Sequence, residues 1–317
     1  MGTDDNRRMD THPLIDGAVP LAHWGVIRAN GADAATFLHS QLTNDFTGMG
    51  LSEAKLAGYC SAKGRMLASF VAWKSAHDEV LLACHASVLP ATLKRLTMFV
   101  LRSKCKLSDA SAELKLFGVA GPSARSVCGD ARVWRKHETD GASAIRLPDA
   151  AGLARALWVA PAGAPALPAI TLDAWQWLEV QSGVPVIEAA TAEQFVPQML
   201  NFELVGGVNF QKGCYPGQEV VARSQYRGTV KRRMFLFDVD APAAAGQEVF
   251  HSADPGQPAG MVVNAAARPD GSGRSALVEI KLAALESGSV HLCAVDGPVM
   301  TRGELPYAVV LDADQPA

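Results

Sequence analysis

From Arg233 onward, turn signals interrupt the chain too often for anything but short strands. Gly246, Asp254-Pro255-Gly256, Pro269-Asp270-Gly271 and Asp296-Gly297-Pro298 each favour a reversal. Between them lie the short apolar runs Met261–Val263, Ala276–Ile280, Val290–Val295 and Tyr307–Leu311, and Met234–Val239 opens the series. Strands at this spacing predict a small all-β barrel or sandwich over residues 234–317.

The preceding part alternates strand and helix signals. Val19 to Ala29 reads as one strand ending in a turn at Asn30-Gly31, with Asp33 at an N-cap position before a helix over Ala34–Leu42. Arg65–Trp73 and Glu79–His85 read as paired strands around His77-Asp78. Leu89, Leu93, Leu96 and Val100 recur at helical spacing behind Pro90 in a first turn. Leu114–Ala120 and Ala154–Ala160 are further strands, with a short helix from Gly121-Pro122 to Gly129. Residues 140–170, rich in Ala, Gly and Pro, read as loops between elements. Asp173 is the expected N-cap of a helix over Ala174–Ser182, with Gly183 as its stop. Thr191 and Gln194 resemble a capping box whose helix meets Pro197. The first 16 residues are expected to be a flexible tail, and 17–233 an α+β region of two subdomains.

The 317 residues are 49% hydrophobic and 19% charged, an ordinary balance for a packed core. A formal net charge of -3 argues against a general polyanion binder. The six cysteines are scattered, without a CxxC pair or zinc spacing, so they read as free thiols in a reducing compartment and no metal site is expected. Met1 to Asp16 fits neither a signal peptide nor a mitochondrial presequence, and no apolar run is long enough to span a bilayer; the expected location is the cytoplasm.

Chemistry concentrates between Gly206 and Arg233. Gly206-Gly207 precedes a strand-like Val208-Asn209-Phe210. Lys212-Gly213-Cys214-Tyr215-Pro216-Gly217 then specifies a tight, irregular loop, and Gln218–Gln225 a helix with Gly228 near its end. Cys214 thus sits just before a helix N-terminus and close to Lys212, and both favour thiolate; the alternative is a small buried packing residue. Arg223, Arg227, Lys231, Arg232 and Arg233 form either a solvated helix end or an anion site, for the carboxylate tail of a ligand or for RNA phosphates. Glu219 is either an acid candidate or a first-turn residue satisfying the helix dipole. His23, His39, His85 and His137 are isolated from one another in sequence and read as structural or surface residues, while Trp175 and Trp177 read as core.

The stretch LVGGVNFQKGCYPGQEVVARSQYRGTVKRR, Leu204 to Arg233, closely resembles the signature of the YgfZ-type folate-binding proteins. That family is related to a mitochondrial iron–sulfur maturation factor and, more distantly, to the glycine-cleavage T-protein. Gly31–Asp45 and Tyr59–Leu67 agree with the same pattern, and the resemblance extends from about residue 17 to 311. It implies an α+β fold of T-protein-like folate-binding subdomains around a central opening, followed by a small C-terminal β-barrel. It also implies tetrahydrofolate (or a derivative) as cofactor and a role in maintaining iron–sulfur enzymes, including tRNA-modifying ones. Iron–sulfur enzymes or their assembly factors are then the expected partners, and any contact with tRNA is indirect. On this reading Cys214 is the working residue, and Gln181, Lys212, Tyr215, Arg223 and Arg227 are the folate contacts. A folate needs an apolar slot, a polar group for the pterin edge and a cation for its tail. The T-protein reads that edge with an acid two positions before a helix-ending glycine; here the position holds Gln181. The T-protein also carries an acidic pair in the strand matched by Gly64–Phe70, which has no carboxylate here. Folate-dependent aminomethyl transfer therefore lacks its evident base and stands as the alternative reading, as does an RNA-binding module built on the Arg223–Arg233 patch.

Overall fold

A computed structural model describes residues 15–139, 141–226 and 230–309. Two five-stranded sheets precede a closed barrel. The first sheet has the order β3-β4-β5-β2-β6. Its strands are β2 (Trp24–Asn30), β3 (Ala54–Cys60), β4 (Met66–Ala76), β5 (Glu79–His85) and β6 (Lys106–Asp109). Helices α1 (Ala34–Gln41) and α2 (Leu89–Thr97) accompany it. The β4–β5 hairpin and the Pro90 helix start match the sequence reading.

The second sheet has the order β1-β7-β10-β9-β8. Its strands are β1 (Gly17–Pro20), β7 (Lys115–Ala120), β8 (Lys136–Thr139), β9 (Ala142–Ala150) and β10 (Leu153–Ala160), with α3 (Pro122–Cys128) between β7 and β8. The single strand expected over Val19–Ala29 is in fact two. Pro20 has no N–H for a ladder, and the chain turns at Leu21–His23. β1 then pairs with β7, whereas β2 pairs with β5 and β6 in the other sheet. One apolar run therefore joins both sheets. The loops expected across 140–170 are also corrected: β9 forms there. Ala144, Ala154 and Ala156 are buried against Ala124 and Cys128 of α3, so close packing of small side chains overrides their weak strand propensity.

Three further local expectations fail. Helix α4 (Leu172–Gln181) is capped by Thr171, whose hydroxyl accepts from Ala174 N at 3.2 Å; Asp173 lies inside the first turn. Gly183 does end it, at φ +66°. Thr191 starts no helix, because its hydroxyl accepts from Glu188 N at 3.0 Å and closes a local turn. A 3-10 turn follows at Pro197–Leu200. Val208–Phe210 is not a strand; Asn209 N donates instead to Thr43 O at 2.9 Å.

The barrel closes as β11-β14-β13-β12-β15-β16. Its strands are β11 (Arg232–Val239), β12 (Glu248–His251), β13 (Gly260–Ala267), β14 (Arg274–Lys281), β15 (Val290–Leu292) and β16 (Val299–Arg302). The run expected to end the series, Tyr307–Leu311, contributes no strand through Val309, and its remainder lies outside the described residues. β16 already pairs with both β11 and β15, which leaves that edge closed. Tyr307 instead donates its hydroxyl to Gly183 O at 2.7 Å. Helix α4 lies against β13 and β14, and Trp177 Nε1 and Gln181 Nε2 both reach Ser275 Oγ, at 3.3 and 3.1 Å. No helix among the described residues is long and apolar enough to cross a membrane.

Candidate functional site

The three stretches of the signature, far apart in the chain, meet at one place. Thr43 Oγ1 donates to Gly207 O at 2.5 Å and accepts from Gly58 N at 2.7 Å. Asn44 Nδ2 bridges Leu56 O and Gly206 O at 2.8 and 2.9 Å. The turn after α1 is thereby fastened to β3 and to the Gly206-Gly207 pair. On the other side, Gly217 at φ +80° lies directly on the Ser61–Gly64 turn. A Cβ there would come within 2.4 Å of Ser61 O and 2.7 Å of Gly64 Cα. Two turns pack backbone to backbone, and only glycine allows that approach. Helix α5 (Gln218–Tyr226) begins at once.

The loop between these anchors carries Lys212, Cys214 and Tyr215. Lys212 and Tyr215 are buried, and Cys214 is exposed. Lys212 Nζ donates to His39 O at 2.6 Å and to Gly213 O at 3.0 Å, and lies 4.6 Å from the Tyr215 ring centroid. Burial lowers the Lys212 ammonium to about 8, with Asp45 and Cys214 acting in the opposite direction. Burial, reinforced by Cys60, raises the Tyr215 hydroxyl. His39 Nδ1 is 2.7 Å from Asp45 Oδ1. Burial pushes the Asp45 carboxyl up, but hydrogen bonds from Thr47 and His39, with Lys55 nearby, outweigh it and hold the group well below the carboxylate range. Among the other thiols, burial raises Cys60 and Cys84 to about 12 and Cys105 and Cys128 to about 11. Cys214 and Cys293 are the exposed ones.

Other predicted contacts lie elsewhere. Gln181 donates its Nε2 to Ser275 Oγ at 3.1 Å on the barrel side of α4. Arg223 is exposed and pairs with Glu219, one turn away on α5, at 2.6 Å. Arg227 lies outside the described residues. Two members of the basic run are engaged inside the fold. Arg233 is buried in an ion pair with Glu203, and Arg232 is paired with the buried Glu279. Among the described residues no three His, Cys, Asp or Glu side chains stand close enough to hold a metal.

Sequence reading missed a second cluster. A cavity of about 140 Å³ opens where the ends of β2 and β5, helix α4 and β13 meet; His23, Trp24, His85, Glu179, Glu188 and Asn264 line it. Glu179 accepts from Trp24 Nε1 at 3.1 Å and stands 3.3 Å from His23 Nε2. Buried His23 Nδ1 has no hydrogen-bond partner among the described residues. The His23 and His85 rings are 5.9 Å apart. Burial lowers His85, helped by His23 and opposed by Glu188 and Glu179, so it favours the neutral imidazole. Close to it is a larger cavity of about 400 Å³, lined by Leu67, Val88 and Met98 and by Lys94 and Arg95 on α2. Ser87 forms the wall between the two: it bonds His85 Nδ1 at 2.7 Å and accepts from Ala189 N at 3.0 Å. The available sequence signal was the phase of α4. Glu179 and Gln181 are two residues apart, about 200° around the helix, so they face opposite ways.

The described geometry agrees with what comparison with known proteins finds. Residues 17–137 match the GCVT N-terminal domain model. A tRNA-modifying protein YgfZ of Sodalis glossinidius is 32% identical over 80% of this chain and 82% of its own. The same-named protein of Serratia proteamaculans is 30% identical over 80% of this chain and 81% of its own. The glycine cleavage aminomethyltransferase T of Bartonella henselae superposes with a TM-score of 0.70, covering 90% of this chain and 84% of that one at 16% identity, which establishes the shared fold. The motif loop, the turns that grip it and the two-sheet-plus-barrel architecture thus all lead to one conclusion: this chain belongs to the YgfZ family, on a T-protein-like α+β fold.

Proposed function

We propose that this protein is a tetrahydrofolate-binding accessory factor for tRNA modification, acting through the upkeep of iron–sulfur enzymes with Cys214 as its working residue. The observation that carries the reading is the exposed Cys214 on a loop whose two ends are fixed by all three parts of the family signature. A packing cysteine would be buried, as Cys60 and Cys84 are. The name printed for the relatives, tRNA-modifying protein, supports the tRNA side.

The two adjoining cavities fit a reduced folate. A pterin edge presents N–H donors, and Glu179 and Glu188 supply carboxylate acceptors beside the unpartnered His23 Nδ1. The apolar lining of the larger cavity suits the aryl linker, and Lys94 and Arg95 suit the anionic tail. When bound, the folate would supply one-carbon carriage. This reading moves the pterin contact from Gln181 to Glu179, on the opposite face of α4, and to Glu188 in the segment that follows the helix. Aminomethyl transfer is less well supported: β4 offers no carboxylate, and its Ser69 hydroxyl already accepts from Ile187 N at 3.0 Å.

Anaerobic calorimetry with tetrahydrofolate tests the ligand. Glu188→Gln and Arg95→Ala should each weaken binding by roughly tenfold, about 1.4 kcal/mol, while Arg223→Ala leaves it unchanged. No saturable binding at millimolar ligand contradicts the folate reading. For the thiol, Cys214→Ala should retain folate binding yet fail to restore iron–sulfur enzyme activity in a deletion strain; full rescue by that variant removes Cys214 from the mechanism.

A further inference from the structure

His39 is the one ionisable ring in the Cys214 loop's surroundings that the reading above leaves without a role. It projects from α1, is partly buried, and is oriented from both ends. Its Nδ1 stands 2.7 Å from Asp45 Oδ1, while Asp45 is itself fixed by the amide and hydroxyl of Thr47 at 2.8 and 2.7 Å. Its backbone carbonyl accepts from Lys212 Nζ at 2.6 Å, which ties α1 to the residue two places before Cys214. Its other nitrogen, Nε2, is turned to the loop: a Cβ built on Gly213 would lie 3.3 Å from it. Gly213 therefore leaves open the space between the imidazole and the backbone that carries Cys214. The charged groups around the ring are Asp45 beside it, Lys212 on the loop and Lys55 from β3 acting on Asp45.

We propose that His39, held by Asp45, is the base that takes the proton of Cys214. The S–H bond breaks, the proton passes to His39 Nε2, and the sulfur keeps the electron pair as a thiolate beside the imidazolium and Lys212. Asp45 stabilises the imidazolium and fixes its tautomer by accepting from Nδ1–H. This rests on the assignment of Cys214 as the working residue and goes beyond it by saying what activates the thiol. It needs no metal, oxidant or bound folate.

The test is the pH dependence of Cys214 alkylation by iodoacetamide in the full chain, followed by peptide mass spectrometry so that Cys293 is read separately. Each variant's midpoint is read against that of wild type. His39→Gln should raise that midpoint by about one unit or more and slow alkylation at neutral pH about tenfold, and Asp45→Asn should move it in the same direction by less. A loop merely displaced by substitution changes the rate but not the midpoint. An unchanged midpoint in folded His39→Gln overturns the proposal. If His39→Gln fails to fold, as judged by its thermal melt, an unchanged midpoint in Asp45→Asn overturns it equally. None of these outcomes bears on rescue by Cys214→Ala, so failure of the base and failure of the Cys214 assignment are told apart.

Discussion

Lys212 concentrates the electrostatic conflict of the motif. Its ammonium is held under the loop by two carbonyl oxygens and an aromatic face, yet burial lowers it to about 8 from an ordinary 10.5. For a base whose folded value is depressed, both states hold the proton below the folded value and the full cost is present there. Between about 8 and 10.5 the unfolded chain keeps a proton that the folded chain has released, so stability rises with pH across that window. The comparison of wild type with Lys212→Met by urea unfolding should therefore be flat below pH 7.5 and move in favour of wild type between pH 8 and 10. A difference that stays constant across that range contradicts a depressed Lys212. The consequence for function lies in the same range: near neutral pH the loop carries a cation that a small rise in pH removes.

At the scale of elements, the site depends on one turn resting on another. Gly217 has φ +80° and no room for a Cβ against Ser61 and Gly64, and Gly64 at φ +73° is equally closed by Val220. Gly217→Ala combines left-handed strain of ~1–2 kcal/mol with overpacking of ~1–3 kcal/mol. The expected loss is about 2–5 kcal/mol in chemical denaturation, with Cys214 alkylation altered through a shifted loop. Gly213 is the contrast: it is not in the left-handed region and a Cβ would meet only the imidazole of His39. Gly213→Ala should cost roughly 1 kcal/mol or less while perturbing the reactivity of the thiol. Equal destabilisation by the two substitutions would show that the turn-on-turn contact is not what fixes the loop.

Across the whole molecule, the barrel is tied to the motif region by buried polar groups. Arg233, at the start of β11, reaches Glu203 and Gln198 O, and Asn201 donates to Met234 O at 2.7 Å. Burial raises the Glu203 carboxyl, opposed by Arg233. Arg233→Ala would strand a buried carboxylate and should cost about 3–5 kcal/mol. The double change Arg233→Met with Glu203→Leu should recover most of that loss. If the single and double variants are equally unstable, the pair is not the connection between barrel and sheets. Arg233 thereby uses its charge inside the fold.

Local signals determined much of this protein. Turn residues marked most strands of the barrel, helical spacing marked α2, and the Gly-Pro pattern of Lys212–Gly217 specified an irregular loop before α5, because each depends on neighbours in sequence. The motif also located Lys212 and Cys214, and the family followed from it. Tertiary structure alone decided that the apolar run through Val19–Ala29 serves two sheets, that alanine-rich β9 is a strand, and that Tyr307 latches α4 instead of extending the barrel. It alone brought His23 to His85, turned Glu179 to the cavity and Gln181 to Ser275, and neutralised Arg232 and Arg233. The reason is the same in each case. Spacing along the chain sets which residues share a face, but the partner that face meets is set by packing between elements far apart in sequence.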